Sequence, residues 1–128
     1  MNFVLAEFAE TDSTNAEALR RAAAGEAGPL WIRADRQSAG RGRRGRAWEG
    51  GEGNLFATLL VSPARPRAEW AQLSFAAAIA SADMAADFAP NASIAVKWPN
   101  DVLAVGRKLA GILLETAGQG LAIGIGVN

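Results

Sequence analysis

Lys108-Leu109-Ala110-Gly111-Ile112-Leu113-Leu114-Glu115 leads through Gly118-Gln119-Gly120 into Leu121-Ala122-Ile123-Gly124-Ile125-Gly126-Val127-Asn128. Two short, nearly apolar runs joined by a glycine turn read as neighbouring strands. Immediately upstream, Val102–Val105 meets the first of them across the turn Gly106-Arg107, and Ile94–Trp98 forms a further strand ended by Pro99, which drives the residue before it to an extended conformation. The second half of the chain is therefore a strand meander. In its last strand the side chains alternate between two faces. Leu121, Ile123, Ile125 and Val127 make one bulky face, and Ala122, Gly124, Gly126 and Asn128 make the other, almost bare. Glycine is costly inside a strand, so something must come close to that bare backbone. Either a long helix packs tightly there or a flat ligand lies over it.

Working outward toward the N-terminus, Asn54–Val61 is a strand buried on both faces and stopped by Ser62-Pro63, and its place is expected to be central. Between it and the meander, Trp70, Leu73, Ala77, Ala80, Met84 and Phe88 recur at spacings of three and four and predict a helix over about Ala68 to Phe88. Phe3–Phe8 and Pro29–Ala34 read as two more strands. They enclose a helix from about Asn15 to Ala24, opened by Thr14 and Glu17 at capping-box spacing and closed by Gly25. The fold class is α+β, a mostly antiparallel sheet with helices packed on it. With 128 residues the chain is one domain or part of one.

Composition narrows the chemistry. The chain has no histidine, cysteine or tyrosine. Ser-His-Asp and Cys-His nucleophiles, imidazole or thiolate zinc sites and disulfides are excluded. Carboxylates, Arg, Lys, amides, hydroxyls and backbone dipoles remain, so catalysis here must rest on electrostatics and positioning. No apolar run reaches the roughly 18 residues of a spanning helix, and the N-terminus lacks the basic stretch and apolar segment of a secretory signal. A soluble cytoplasmic protein without a membrane partner is expected. The formal net charge is zero, yet five arginines and no acid lie between Arg36 and Trp48, so the rest of the chain is net negative. A positive loop on an acidic body suits a compact anionic ligand better than a long polyanion.

Three segments carry that chemistry. The span from Asp35 to Gly53 has no apolar period, six glycines and more residues than an ordinary connection needs. Within it, the glycines of Gly40-Arg41-Gly42-Arg43-Arg44-Gly45-Arg46 let N–H groups converge on an anion, arginine forks grip phosphate or carboxylate, and Trp48 offers a flat face. Taken alone, such a loop also suits a disordered RNA-binding segment or a solvated basic loop. The second segment is Lys97-Trp98-Pro99-Asn100-Asp101 with Arg107-Lys108, which holds both lysines of the chain; they are either point charges for an anion or an ordinary solvated hairpin end. The third, Ser13-Thr14-Asn15, serves as a helix cap or presents donors and acceptors to a small polar ring.

Together, Ser13-Thr14-Asn15, Gln37-Ser38-Ala39-Gly40-Arg41-Gly42-Arg43-Arg44-Gly45-Arg46-Ala47-Trp48, Lys97-Trp98-Pro99-Asn100-Asp101, Arg107-Lys108-Leu109-Ala110-Gly111-Ile112 and Gly124-Ile125-Gly126-Val127-Asn128 closely resemble, in order and spacing, the catalytic domain of biotin protein ligases. The resemblance spans essentially the whole chain. It implies a fold like the core of class II aminoacyl-tRNA synthetases and a two-step reaction, in which biotin and ATP give biotinyl-5′-adenylate and a lysine of a biotin carboxyl carrier domain then takes the biotinyl group. It implies biotin contacts from Ser13, Thr14, Asn15, Gln37, Gly40, Arg41, Gly42, Arg43, Lys108 and Gly111, and ATP contacts from Arg43, Arg46, Trp48, Asn100, Lys108 and Asn128.

Lys108 and Arg43 would be the catalytic cations, Trp48 would stack on adenine, and Gly111, Gly124 and Gly126 would be the floor under the bicyclic ring. Magnesium is expected with ATP, although no residue set reads as a dedicated metal cage. The arginine loop is expected to act as a lid that ligand orders. The family's catalytic domain continues past the Gly-Ile-Gly-Val-Asn strand into further sheet and usually a small β-barrel, so the chain is expected to be partial, spanning 1–128 of a longer unit. Neither a preceding helix-turn-helix region nor a nucleic-acid role is expected; oligomeric state and carrier are left unassigned. A non-catalytic fragment that binds biotin or a nucleotide, a nucleic-acid module, and lipoate specificity are the competing readings.

Overall fold

Helix α1 (Thr14–Ala23) follows strand β1 (Val4–Thr11) with two residues between them, and its ends show why it forms there. Ser13 is extended at φ −156° and its hydroxyl accepts the Ala16 N–H at 3.2 Å, which satisfies one of the orphan donors of the first turn. Ser13, not Thr14, is therefore the cap. Glu17 instead pairs with Arg20 and Arg21 one turn on. At the other end Gly25, at φ +95°, lets its own N–H reach the Ala22 carbonyl and the Glu26 N–H reach the Arg21 carbonyl, closing the helix in a Schellman turn.

The computed structural model describes residues 2–128. After α1 come β2 (Leu30–Gln37), a 3-10 turn (Arg43–Gly45), β3 (Leu55–Val61), a second 3-10 turn (Arg67–Gln72) and α2 (Leu73–Phe88). Four strands follow: β4 (Ile94–Lys97), β5 (Asp101–Ala104), β6 (Arg107–Ala117) and β7 (Gly120–Val127). All seven strands join one sheet in the order β1-β2-β3-β7-β6-β5-β4. Only β1 and β2, linked by the α1 crossover, run parallel, so the mostly antiparallel α+β reading holds. The middle place belongs to β7, whereas β3, expected there, is one position away. An all-apolar strand is the signature of any interior position and does not single out the centre.

Side-chain alternation on β7 sorts the two cores. Ala122 joins Ala18, Leu30, Ile32 and Leu60 beneath α1, and Leu121 and Ile123 join Trp70, Ala78 and Ile112 beneath α2. The two helices thus cover opposite faces. The expected apolar stripe holds at its start, where Trp70 is buried and Leu73 and Ala77 pack on the same core, and drifts farther along α2: its buried positions are Ala78, Ser81 and Ala85, while Ala80 is exposed and Phe88 is 85% exposed. Alanines on every side of the helix leave the apolar period degenerate, and the Ser81 hydroxyl is satisfied by the Ala77 carbonyl at 2.8 Å. The first turn of the expected helix is the 3-10 turn, where the Trp70 indole N–H donates to the Arg65 carbonyl at 3.0 Å. At the β5–β6 hairpin the two loop residues are Val105 and Gly106, not Gly106 and Arg107 as expected; Ala104 pairs with Arg107, and both loop residues have positive φ, 51° and 75°.

Candidate active site

The bare face of β7 carries α1, the shorter helix, at its Ala122 end, and neither the long helix nor empty space covers the rest. A Cβ on Gly124 would stand 2.3 Å from Oδ1 of Asn15, and one on Gly126 would stand 2.6 Å from the indole nitrogen of Trp48. Trp48 also lies against Gly111, where an added Cβ would come within 3.0 Å of its ring. Gly111, Gly124 and Gly126 are therefore bare because Asn15 and Trp48 need the room. The floor expected to meet a ligand ring directly is in part an indole, whose Nε1–H is buried without an acceptor among the described residues.

Above this floor is a cavity of about 400 Å³. Its walls come from the start of α1 (Ser13, Thr14, Asn15), the end of β2 (Gln37), the arginine loop (Arg41, Gly42, Arg43, Arg44, Arg46, Ala47, Trp48), the β4–β5 turn (Asn100), the first residue of β5 (Asp101), and β6 and β7 (Lys108, Gly111, Ile112, Leu113, Gly124, Ile125, Gly126), with Phe56 from β3. Of the residues singled out in the sequence, Ser13, Thr14, Asn15, Gln37, Arg41, Gly42, Arg43, Arg46, Trp48, Asn100, Lys108 and Gly111 meet here. Gly40 does not line the cavity; its carbonyl accepts the Trp48 N–H at 2.9 Å, and a Cβ there would strike the Trp48 carbonyl at 2.6 Å. Asn128, expected at the nucleotide, does not line this cavity; it is exposed, with its Oδ1 accepting from Asn54 at 3.2 Å. Lys97 is exposed, and Trp98 is 76% exposed and stacked on Phe75 at 6.5 Å.

The arginine loop is a small flap. Arg41 bridges Ala47, Gly42 N–H reaches the Arg46 carbonyl at 2.6 Å, and the tip turns through Arg44 at φ 59° and Gly45 at φ 70°. Arg43 Nη1 donates to Asn100 Oδ1 at 2.9 Å across the cavity, and Arg41 Nη2 donates to Glu115 Oε1 at 3.0 Å. Asn100 is buried and held by β6, its Nδ2 donating to the Ile112 carbonyl at 2.8 Å. Lys108 Nζ lies 3.2 Å from Asp101 Oδ1 and 5.0 Å from the centre of the Trp48 ring. Four arginines and one lysine thus face a single lining carboxylate, and the cavity is electropositive.

At the α1 end the polar groups form a chain. Gln37 Oε1 accepts the Thr14 N–H at 2.8 Å and the Thr14 hydroxyl at 3.1 Å. The fully buried Thr58 hydroxyl lies 2.8 Å from Thr14 Oγ1 and 2.6 Å from Asn15 Oδ1, and Asn15 Nδ2 donates to the Leu113 carbonyl at 3.2 Å and to Glu115 Oε1 at 3.1 Å. Just outside, Arg20 grips Asp12 with two hydrogen bonds of 2.9 Å and holds that carboxyl well below the usual carboxylate range. Burial pushes Glu17 up, but hydrogen bonds from Arg21 and Arg20 outweigh it and its pKa is lowered. Thr58, Asp101 and Glu115 were not singled out as site residues. Their signal is a lone polar side chain inside or at the end of an apolar strand, which spacing alone does not assign to a site.

The family model described as biotin/lipoate A/B protein ligase family matches residues 6–128. This chain belongs to that family. It is 52% identical over 126 residues to the biotin--[acetyl-CoA-carboxylase] ligase of Paracoccus denitrificans, covering 94% of this chain and 52% of that protein. Among solved structures it is similar to the biotin protein ligase of Aquifex aeolicus in complex with biotin and ATP, with a TM-score of 0.82, 31% identity, and coverage of 98% of this chain and 52% of that one. The biotin protein ligase of Leishmania major in complex with biotinyl-5-AMP gives a TM-score of 0.82 at 29% identity, covering 98% of this chain and 57% of that one. The chain spans about half the length of the curated relatives it matches. The α+β fold is that of biotin protein ligase catalytic domains.

Proposed function

We propose that this chain carries the adenylation centre of a biotin protein ligase, in which the biotin carboxylate attacks the α-phosphorus of ATP to give biotinyl-5′-AMP and pyrophosphate. The amine of a carrier-domain lysine then attacks the acyl carbon and expels AMP. The observation that carries the reading is the meeting of Arg41, Arg43, Arg44, Arg46 and Lys108 around one cavity with an uncharged polar end at Thr14, Asn15 and Gln37. Bringing an anionic nucleophile to a phosphate requires several positive charges fixed in place beforehand, and a cavity with five cations supplies them without histidine. Lys108 and Arg43, held by Asp101 and Asn100, are the cations assigned to the transition state, with Arg41 and Gly42 over the carboxylate and Arg46 toward the nucleotide. Trp48, whose ring lies against Gly111 and Gly126, is the residue proposed to stack on the flat ring of adenine.

The polar end fits a ureido ring, which has both donors and an acceptor, better than a dithiolane, which has no N–H. A site built on such hydrogen bonds rejects a ligand lacking them by about 10⁴-fold. Magnesium is proposed to arrive on the ATP phosphates. Asp101 is the carboxylate lining the cavity, and among the described residues no group of three acids or other ligating side chains gathers around a metal position. The flap is proposed to close over bound ligand, and the carrier partner is proposed to be a biotin carboxyl carrier domain. No helix among the described residues is long and apolar enough to cross a membrane, and the location is proposed to be cytoplasmic, where ATP is supplied. Five of the thirteen basic side chains gather at one cavity, which supports a small anion over a nucleic acid as ligand.

Biotin-dependent exchange of labelled pyrophosphate into ATP tests the proposal. Exchange driven by biotin and not by lipoate is expected. Because the chain covers half of its relatives, a second reading is a fragment that binds without turnover, and biotin binding without exchange would establish it.

A further inference from the structure

The apolar run Ile112-Leu113-Leu114 on β6 ends in a carboxylate, and that carboxylate is not solvated freely. Glu115 Oε1 accepts Arg41 Nη2 at 3.0 Å and Asn15 Nδ2 at 3.1 Å, with its side chain about one quarter exposed. Its two partners come from different elements, the flap and the start of α1, and both line the cavity. Among the described residues Glu115 makes the one side-chain hydrogen bond and the one ion pair given to Arg41. Asn15 is over-determined by contrast, since Thr58 and the Leu113 carbonyl hold it as well. A carboxylate tying one well-anchored residue to one otherwise free arginine sets the place of the arginine.

We propose that Glu115 is a positioning residue for the ligand-binding flap: its carboxylate parks Arg41 beside Asn15 and so preorganises the flap over the cavity. That this assists capture of a ligand carboxylate rests on the function proposed above; the latch itself does not. Glu115→Gln isolates the effect, because the amide oxygen still accepts from Asn15 while the charge that holds Arg41 is gone.

Amide hydrogen exchange, read by mass spectrometry on the full chain without ligand, tests it at Gly42, Arg46 and Trp48, with β2 and β7 as internal references. Glu115→Gln is expected to speed exchange in the flap by about two- to fivefold and to leave the reference strands unchanged, as befits a partly exposed pair. Arg41→Gln should have the same effect, and adding Glu115→Gln to it should change nothing further. Flap exchange unaltered by Glu115→Gln, equal acceleration in the reference strands, or effects that multiply in the double variant would each overturn the latch. Calorimetric titration with biotin separates the two proposals. A wild-type chain that binds no biotin defeats the functional reading alone, and a biotin-binding chain whose flap ignores Glu115 defeats this one alone.

Discussion

Lys108 is half exposed, with its ammonium against Asp101 and over the Trp48 ring, so removing it should cost chemistry more than folding. Lys108→Ala is expected to lower adenylate formation by about 10²–10³-fold or more while the urea unfolding midpoint stays close to that of the wild type. Full activity of that variant would take Lys108 out of the mechanism. Gly124 is the opposite case. Its missing Cβ would meet Asn15, a buried side chain fixed by Thr58, Leu113 and Glu115 that cannot swing aside. Gly124→Ala is therefore expected to destabilise the fold by about 1–3 kcal/mol, checked by urea denaturation. Wild-type stability in that variant would mean that Asn15 gives way. The bareness of Gly124 and Gly126 could be read from alternation along the strand, because a period of two is local. What fills the space could not, since Asn15 and Trp48 arrive from more than 75 residues away in the chain.

At the level of elements, the start of α1 depends on charge. Asp12 and Glu17 both titrate below their ordinary values because arginines pair with them, Arg20 above all for Asp12. Carboxyls that are more acidic folded than unfolded contribute fully above the unfolded value of about 4 and lose that contribution as pH falls below it. The urea midpoint is expected to fall on going from pH 5 to pH 2, and Asp12→Asn should flatten that slope; a slope unchanged by Asp12→Asn would exclude the pair as its source. At the β5–β6 hairpin Val105, a β-branched residue at φ 51°, sits where asparagine or glycine is preferred. Val105→Asn is expected to raise stability by about 0.5–1 kcal/mol in the same assay, as Val105 is exposed and loses no packing. The boundaries of α1 were legible to about a residue, because Gly25 is local stop chemistry and the short polar side chains at 13–15 mark a start; that Ser13 rather than Thr14 is the cap was not. The buried face of α2 was not, because a helix made mostly of alanine carries no size contrast and only the sheet beneath selects Ala78, Ser81 and Ala85.

Over the whole molecule, β7 separates β1-β2-β3 from β6-β5-β4 and sends side chains into both cores. Deleting residues 120–128 should leave two three-stranded halves and abolish the cooperative thermal transition followed by circular dichroism. A truncated chain that still melts in one sharp step would show that β3 and β6 pair without it. That strands dominate the second half was plain from the glycine turns, yet their order in the sheet was not, since pairing partners such as Leu55 and Val127 are 72 residues apart. The keystone strand is also translated after every strand it joins. Until Gly120–Val127 leaves the ribosome, β3 and β6 each present an unpaired edge, and the nascent chain must be shielded from sticking to its neighbours for the time those codons take to read.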